Sequence, residues 1–242
     1  MYQLILFDLD GTLLPLDMDV FIRKYFAAVT PFFHGIIEPG VFLKYLMSST
    51  ETMIKNPGDL SNEEVFMNSF LPAVEKERDI IYPHFNLFYE QEFPKLKKYA
   101  GYSELAAKVV GQAVEKGYGI VLATNPVFPR RATEERMAWA GVDKFPWQLI
   151  TTYENSRGCK PSLHYYQEIC DKLGAAPENC LMVGNDVQED LVASTLGMDT
   201  FLVTDLLIDR GEPQYEPGHR GTLADLFDFV QGLPPAKLMD RL

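Results

Sequence analysis

The chain has 242 residues, 47% hydrophobic and 23% charged, and carries a net charge of −12. That length allows one large domain, or a core with a smaller one attached. The acidic balance argues against nucleic-acid binding, which neutralises many phosphates with Lys and Arg. It also requires any site for an anionic substrate to bring its own local positive charge.

Three cysteines, Cys159, Cys170 and Cys180, make neither a disulfide framework nor a paired zinc motif, and point to a reducing cytoplasm. The first residues run directly into a strand-like segment with no basic region or cleavage site, so no export signal is expected. No apolar run approaches the roughly 20 residues of a membrane span, and no membrane partner is expected.

In chain order, Leu4-Ile5-Leu6-Phe7 is a continuous apolar run, the pattern of a parallel strand buried on both faces. From about 17 to 98 strand signals give way to helical periodicity. Phe21, Tyr25, Ala28 and Phe32 share one face of a first helix, and Leu43, Leu46, Met47, Thr50 and Ile54 share one face of a second. Ser61-Asn62-Glu63-Glu64 reads as a capping box opening a third. A fourth is expected from Pro83, carrying Phe85, Phe88 and Tyr89, with hinges near Pro15 and Pro94. Phenylalanines gather here. They serve either as the core of a small helical bundle or as the wall of an apolar substrate pocket.

Apolar runs then recur at 119–123, 181–183 and 200–203, separated by helical patterns at about 103–116, 129–140, 162–173 and 189–196. Strands alternating with helices indicate a doubly wound α/β fold with a parallel sheet. The expected division is a Rossmann-like core of residues 1–16 and 99–242, with 17–98 as an inserted all-helical cap.

The chemistry gathers at strand ends. The first strand runs into Asp8-Leu9-Asp10-Gly11-Thr12, at the sheet edge where open α/β folds bind ligands. Two carboxylates a few ångströms apart repel by roughly 4 kcal/mol at an effective dielectric near 20, so a cation or a shared proton is expected there. Gly11 permits a tight turn and close backbone approach. Thr124 and Asn125 follow the second core strand and offer donors to phosphate oxygens. Lys160, in Gly158-Cys159-Lys160-Pro161, supplies positive charge. Gly184-Asn185-Asp186-Val187-Gln188-Glu189-Asp190 adds an acidic cluster after another strand. Arg130, Arg131, Arg23 and Lys24 either reach an anionic substrate group or are simply solvated.

With Asp8, Asp10, Thr124, Lys160 and the 184–190 cluster in this order, the chain resembles the haloacid dehalogenase (HAD) superfamily along its whole length, in its helical-cap form. The resemblance implies a phosphoric monoester hydrolase acting on a small phosphorylated metabolite. Asp8 would be the nucleophile, forming an aspartyl-phosphate, and Asp10 the general acid and base. Thr124, Asn125 and Lys160 would bind the phosphate, and Mg2+ would bind Asp8, Asp10 and a third ligand. The family pattern places an Asp directly after the glycine, where this chain has Asn185, so Asp186 is expected as the third ligand with Asn185 as the alternative. Asp190 would support the site. A dehalogenase needs no acid at position 10, and Asp10 disfavours a phosphonate hydrolase too. A sugar-phosphate mutase and a non-catalytic phosphate-binding relative remain alternatives. Substrate identity, oligomeric state and any role of 209–221 are not encoded in a readable motif.

Overall fold

Leu4–Phe7 forms strand β1 because every one of its side chains is apolar and finds cover on one sheet face or the other. The computed structural model describes residues 2–236. After β1 come helices α1 (Met18–Val29), α2 (Pro39–Ile54), α3 (Asn62–Val74) and α4 (Arg78–Gln91). The alternating part follows: α5 (Glu104–Glu115), β2 (Gly119–Leu122), α6 (Arg130–Ala140), β3 (Leu149–Ile150), α7 (Leu163–Leu173), β4 (Cys180–Gly184), β5 (Asp199–Val203), β6 (His219–Gly221) and α8 (Leu223–Gly232). Short 3₁₀ helices lie at Thr30–Phe33, Phe93–Tyr99, Pro177–Asn179 and Leu191–Leu196.

The six strands are parallel, in the order β3-β2-β1-β4-β5-β6. Successive side chains of β1 enter opposite cores. Ile5 and Phe7 join the larger apolar cluster with α5, α6, α8 and α1–α4, while Leu4 and Leu6 join a second one with α7 and the 191–196 helix. Helices therefore cover both faces, as the strand–helix alternation predicts. Among the described residues, no helix is long and apolar enough to cross a membrane.

Local chemistry starts several helices where the sequence marks them. Asp17 accepts the Val20 N–H, Ser103 the Leu105 N–H and Ser162 the His164 N–H. The capping box is complete at Ser61, whose hydroxyl accepts the Glu64 N–H while Glu64 returns a bond to the Ser61 N–H.

Four expectations shift. The fourth helix starts at Arg78, five residues before Pro83. Ile81, Phe85 and Phe88 make one buried stripe, and burying an isoleucine contributes about 1.5–3 kcal/mol, comparable with the roughly 3 kcal/mol that an internal proline costs. On α2 the buried face is Phe42, Leu46, Ser49 and Met53, one position away from the predicted stripe. Small Ser49 lets α3 come close and receives the Ser69 hydroxyl at 3.0 Å. Met47, Thr50 and Ile54 are left facing open space. After α1 the chain tightens into 3₁₀ winding, so Phe33 rather than Phe32 is fully buried and stacks on Phe42, ring centroids 4.3 Å apart. The segment predicted as a helix over 189–196 winds instead as the 3₁₀ turn at Leu191–Leu196. Strands β3 and β6 and helix α8 carry no sequence expectation. Two and three residues are too short to show a period.

An aromatic seam joins α1–α4 to the sheet domain. Phe93 packs against Phe21, Tyr25, Phe88 and Tyr89 on one side, and against Phe128 and Trp139 on the other. It is fully buried. Replacing it with alanine is expected to cost about 3–5 kcal/mol, the usual range for emptying a buried phenylalanine site. Urea unfolding checks this, and a loss under about 1 kcal/mol would contradict the seam.

Candidate active site

Parallel register brings the chemical residues together. Phe7 pairs with Leu122 on one side and Val183 on the other. The ladder runs one step further, with the Ala123 N–H donating to Phe7 O at 2.7 Å and the Asp8 N–H to Val183 O at 2.9 Å. Asp8 thus leaves the sheet level with Ala123 and Gly184, one residue before Thr124 and Asn185 on the neighbouring strands. Immediately after it the chain folds back, with Gly11 N–H donating to Leu14 O at 2.8 Å and Leu14 N–H to Leu9 O at 2.8 Å. Gly11 adopts φ +87, and a Cβ there would lie 2.3 Å from Asn185 Nδ2. The glycine is required both for its backbone angle and for the space it leaves.

At the centre is Lys160, whose side chain is 1% exposed. Its ammonium donates to Asp8 Oδ1 at 2.8 Å and to Asp190 Oδ1 at 2.7 Å. Asp190 Oδ2 accepts the Asp186 N–H at 3.0 Å, and a Cβ on Gly184 would collide with Asp190 at 2.0 Å. Burial pushes Asp190 above the ordinary carboxylate range, against the pull of Lys160. The main-chain N–H of Lys160 donates to Asn125 Oδ1 at 3.3 Å, and Asn125 Nδ2 donates to Glu189 Oε2 at 3.2 Å. Thr124 is buried beside them, its carbonyl receiving the Thr151 hydroxyl at 2.8 Å and the Tyr165 hydroxyl at 3.0 Å.

The second carboxylate has a partner that the sequence reading missed. Arg136, 1% exposed, donates to Asp10 Oδ2 and lies over the Phe128 ring, 4.6 Å from its centroid. Asp10 Oδ1 is buried and has no hydrogen-bond partner among the described residues. Burial is the largest influence on Asp10 and raises it; Arg136 pulls the other way, and the net shift is upward. An arginine inside the apolar α6 stripe of Ala132, Met137 and Ala140 was the available signal.

A second missed residue comes from the 209–221 segment. Arg210 donates to both oxygens of Asp186, at 2.7 and 2.6 Å. Asp186 Oδ1 also accepts the Gln188 N–H at 3.0 Å and the Glu189 N–H at 2.9 Å. Asn185 is placed differently. Its amide nitrogen donates to Leu206 O at 2.5 Å, which turns its oxygen toward Thr12. The Thr12 hydroxyl, with one proton to give, sits 3.1 Å from Asn185 Oδ1 and 3.0 Å from Asp8 Oδ2.

Other candidates stand apart. Arg130 pairs with Glu134 and Arg131 with Glu90, all at the surface, and Arg23 and Lys24 are exposed. The Cys159 thiol is buried against Asn62, and burial pushes it up to about 12, which leaves it protonated and unreactive.

Asp8, Asp10, Thr124, Asn185, Asp186 and Arg210 are among the walls of a cavity of about 270 Å³. Five carboxyl groups, from Asp8, Asp10, Asp186, Glu189 and Asp190, meet only three cations, Lys160, Arg136 and Arg210. Carboxylate and amide oxygens gathered in one cavity suit a hard divalent cation. Among the described residues, no three His, Cys, Asp or Glu side chains form a metal cage by themselves. Mg2+ usually keeps several waters and needs few protein ligands.

Arg136→Met leaves Asp10 buried without a counter-charge. The expected loss is about 3–5 kcal/mol, as for other buried pairs cut on one side. Urea denaturation at neutral pH measures it, and wild-type stability would show that the pair contributes nothing.

Comparison with known proteins fits this geometry. A family model for haloacid dehalogenase-like hydrolases matches residues 2–194. A glyceraldehyde 3-phosphate phosphatase of Methanothermobacter thermautotrophicus is 28% identical over 102 residues, a match that spans 42% of this chain and only 44% of that protein. The fold resembles a HAD phosphatase from Thermococcus onnurineus, with TM-score 0.57 and 17% identity over 98% of this chain and 100% of the other. It equally resembles an L-2-haloacid dehalogenase from Xanthobacter autotrophicus, with TM-score 0.59 and 13% identity over 96% and 100%. A family model covering most of the chain and a site built from that family's motifs lead to one conclusion: the chain belongs to the haloacid dehalogenase-like hydrolases.

Proposed function

We propose that this hydrolase is a magnesium-dependent phosphatase that releases phosphate from a small phosphorylated metabolite through an aspartyl-phosphate on Asp8. The observation that carries the reading is Asp10. It is a buried carboxyl group with raised proton affinity, held through one oxygen by Arg136 and unpartnered at the other, on a residue that lines one cavity with Asp8. A dehalogenase has no use for such an acid, whereas ester cleavage needs one to protonate the leaving oxygen. The partial match to a phosphatase of another organism supports the same choice.

In this reading Asp8 attacks phosphorus, and Asp10 gives its proton to the departing alcohol. Asp10 then takes a proton from the water that hydrolyses the acyl phosphate. Lys160 offsets the repulsion between the Asp8 carboxylate and the incoming phosphate, while Thr124 and Asn125 donate to the phosphoryl oxygens. Mg2+ would be held by the Asp8 carboxylate, the Asp10 main-chain carbonyl and a third oxygen, and would supply charge neutralisation for nucleophile and phosphate. Asn185 is the better third ligand. Its oxygen is turned toward the Thr12 hydroxyl, which also lies beside Asp8, whereas both oxygens of Asp186 are taken by Arg210. Asp190 holds Lys160 in place. Residues 17–98 act as the cap that excludes water and selects the alcohol. Three buried, unpaired cysteines accord with a reducing cytoplasm.

Two measurements test the reading. Asp8→Asn should lower phosphate release by a factor on the order of 10⁴–10⁶, as loss of a nucleophile does elsewhere, with an unchanged circular dichroism spectrum. Retained turnover removes the mechanism. Excess chelator should abolish activity and added Mg2+ restore it, and a rate indifferent to both would speak for metal-free chemistry such as dehalogenation. Isomerisation of a hexose 1-phosphate without net phosphate release would instead identify a mutase.

A further inference from the structure

Beside the catalytic cavity lies a second one of about 270 Å³, close to the lower end of small-molecule pockets at roughly 300–1,000 Å³. The two share the walls Ile22, Thr50, Val127 and Phe128, so the second cavity lies directly against the one that holds the carboxylates, among the inserted helices. Its body is apolar, built from side chains such as Phe26, Leu46, Phe66, Met67 and Phe85. No Lys, Arg or His lines it, and its one carboxylate, Glu51, is exposed on α2. The stripe of α2 left out of the bundle core, Met47 and Thr50, faces this space.

The cavity also holds three phenols, Tyr25, Tyr89 and Tyr153, each more than nine-tenths buried. The hydroxyls of Tyr25 and Tyr89 are 2.8 Å apart. One proton bridges that pair, and the other has no receiver among the described residues. The Tyr153 hydroxyl makes no hydrogen bond to any described residue. Burial raises all three phenols, which therefore remain protonated and act as donors. A hydroxyl without a protein acceptor is open to an incoming acceptor group, which would take its proton in a hydrogen bond.

We infer that the cavity receives the substrate's leaving group, and that this group is an alcohol with an apolar or aromatic body, no second negative charge, and one uncharged acceptor such as a carbonyl, bound by Tyr153 and the Tyr25–Tyr89 pair. The inference rests on the phosphatase reading and names the substrate class for it. A carboxylate or a second phosphate would enter a lining with no cation, and would lose its hydration without compensation. A sugar would leave most of its hydroxyls facing carbon.

The test compares primary alkyl esters, so that leaving-group chemistry is matched. With Mg2+ present, kcat/KM for 2-(2-naphthyl)ethyl phosphate should exceed that for glucose 6-phosphate and phosphoglycolate by at least about 100-fold, the scale set by burying several methylene-sized groups. Equal or better turnover of the charged or polyhydroxylated esters overturns the inference. Calorimetric binding of the free alcohols reads the cavity without turnover. The wild-type protein should bind 2-(2-naphthyl)ethanol, and its 6-acetyl derivative more tightly. Tyr153→Phe should weaken the acetyl compound by about tenfold, one lost hydrogen bond to a desolvated group, and the parent by less than about twofold. Acetyl phosphate, which needs no leaving-group pocket, separates the two readings. Its hydrolysis with no binding of either alcohol overturns the cavity inference alone. Binding of both alcohols with no hydrolysis of any ester overturns the phosphatase reading and supports the cavity's preference for an apolar ligand.

Discussion

The buried ammonium of Lys160 is the contact on which the rest of the site depends. It is bonded to Asp8 at the end of β1 and to Asp190 beyond the end of β4. A lysine removed from water is costly unless paired. Here two carboxylates meet it, and each would itself be destabilised by burial without it. Asp190 is pressed against the backbone of Gly184 and bonded to the Asp186 N–H, so the ammonium fixes the Asp8 carboxylate relative to the acidic loop. The main chain of Lys160 reaches Asn125 in turn, which brings in the end of β2. Three crossover connections, distant in sequence, are held by one charged group and its satellites.

Such an arrangement suits a water-poor setting, and the inserted helices provide one. Asn62, fully buried at the start of α3, donates to Pro126 O at 3.2 Å and Gly158 O at 3.1 Å, and accepts from Asn56 at 2.8 Å. It ties the helical segment to the loops carrying Asn125 and Lys160. The aromatic seam through Phe93 and Trp139 does the same on the other side. Excluding water strengthens each electrostatic contact inside. The buried atom left without a hydrogen-bond partner among the described residues, Asp10 Oδ1, belongs to a residue that lines this enclosed site.

Fold and reaction are separable in this family. The chain overlays a phosphatase and a dehalogenase about equally well, so the backbone does not choose between ester and carbon–halogen cleavage. The choice falls to side chains around the strand ends, among them Arg136, which reaches Asp10 from helix α6. By holding one oxygen of Asp10 it leaves the other without a protein partner.

Much of this was determined by the sequence alone. Continuous apolar runs can be buried on two faces only in a covered parallel sheet, so β1, β2, β4 and β5 were readable, and with them the edge at which Asp8, Thr124 and Asn185 emerge. Ser61 marked its helix because capping is a local hydrogen bond among four neighbouring residues. Tertiary structure decided what local rules leave degenerate. Which face of α2 is buried depended on how closely α3 could approach Ser49. The start of α4 depended on burial of Ile81 offsetting a proline. The partners of Asp10 and Asp186 lie 126 and 24 residues away, and no spacing rule connects an arginine to a carboxylate over such distances. Periodicity and caps report energies between neighbours in the chain, whereas ion pairs and cavities report energies between neighbours in space, which exist only once the sheet has assembled.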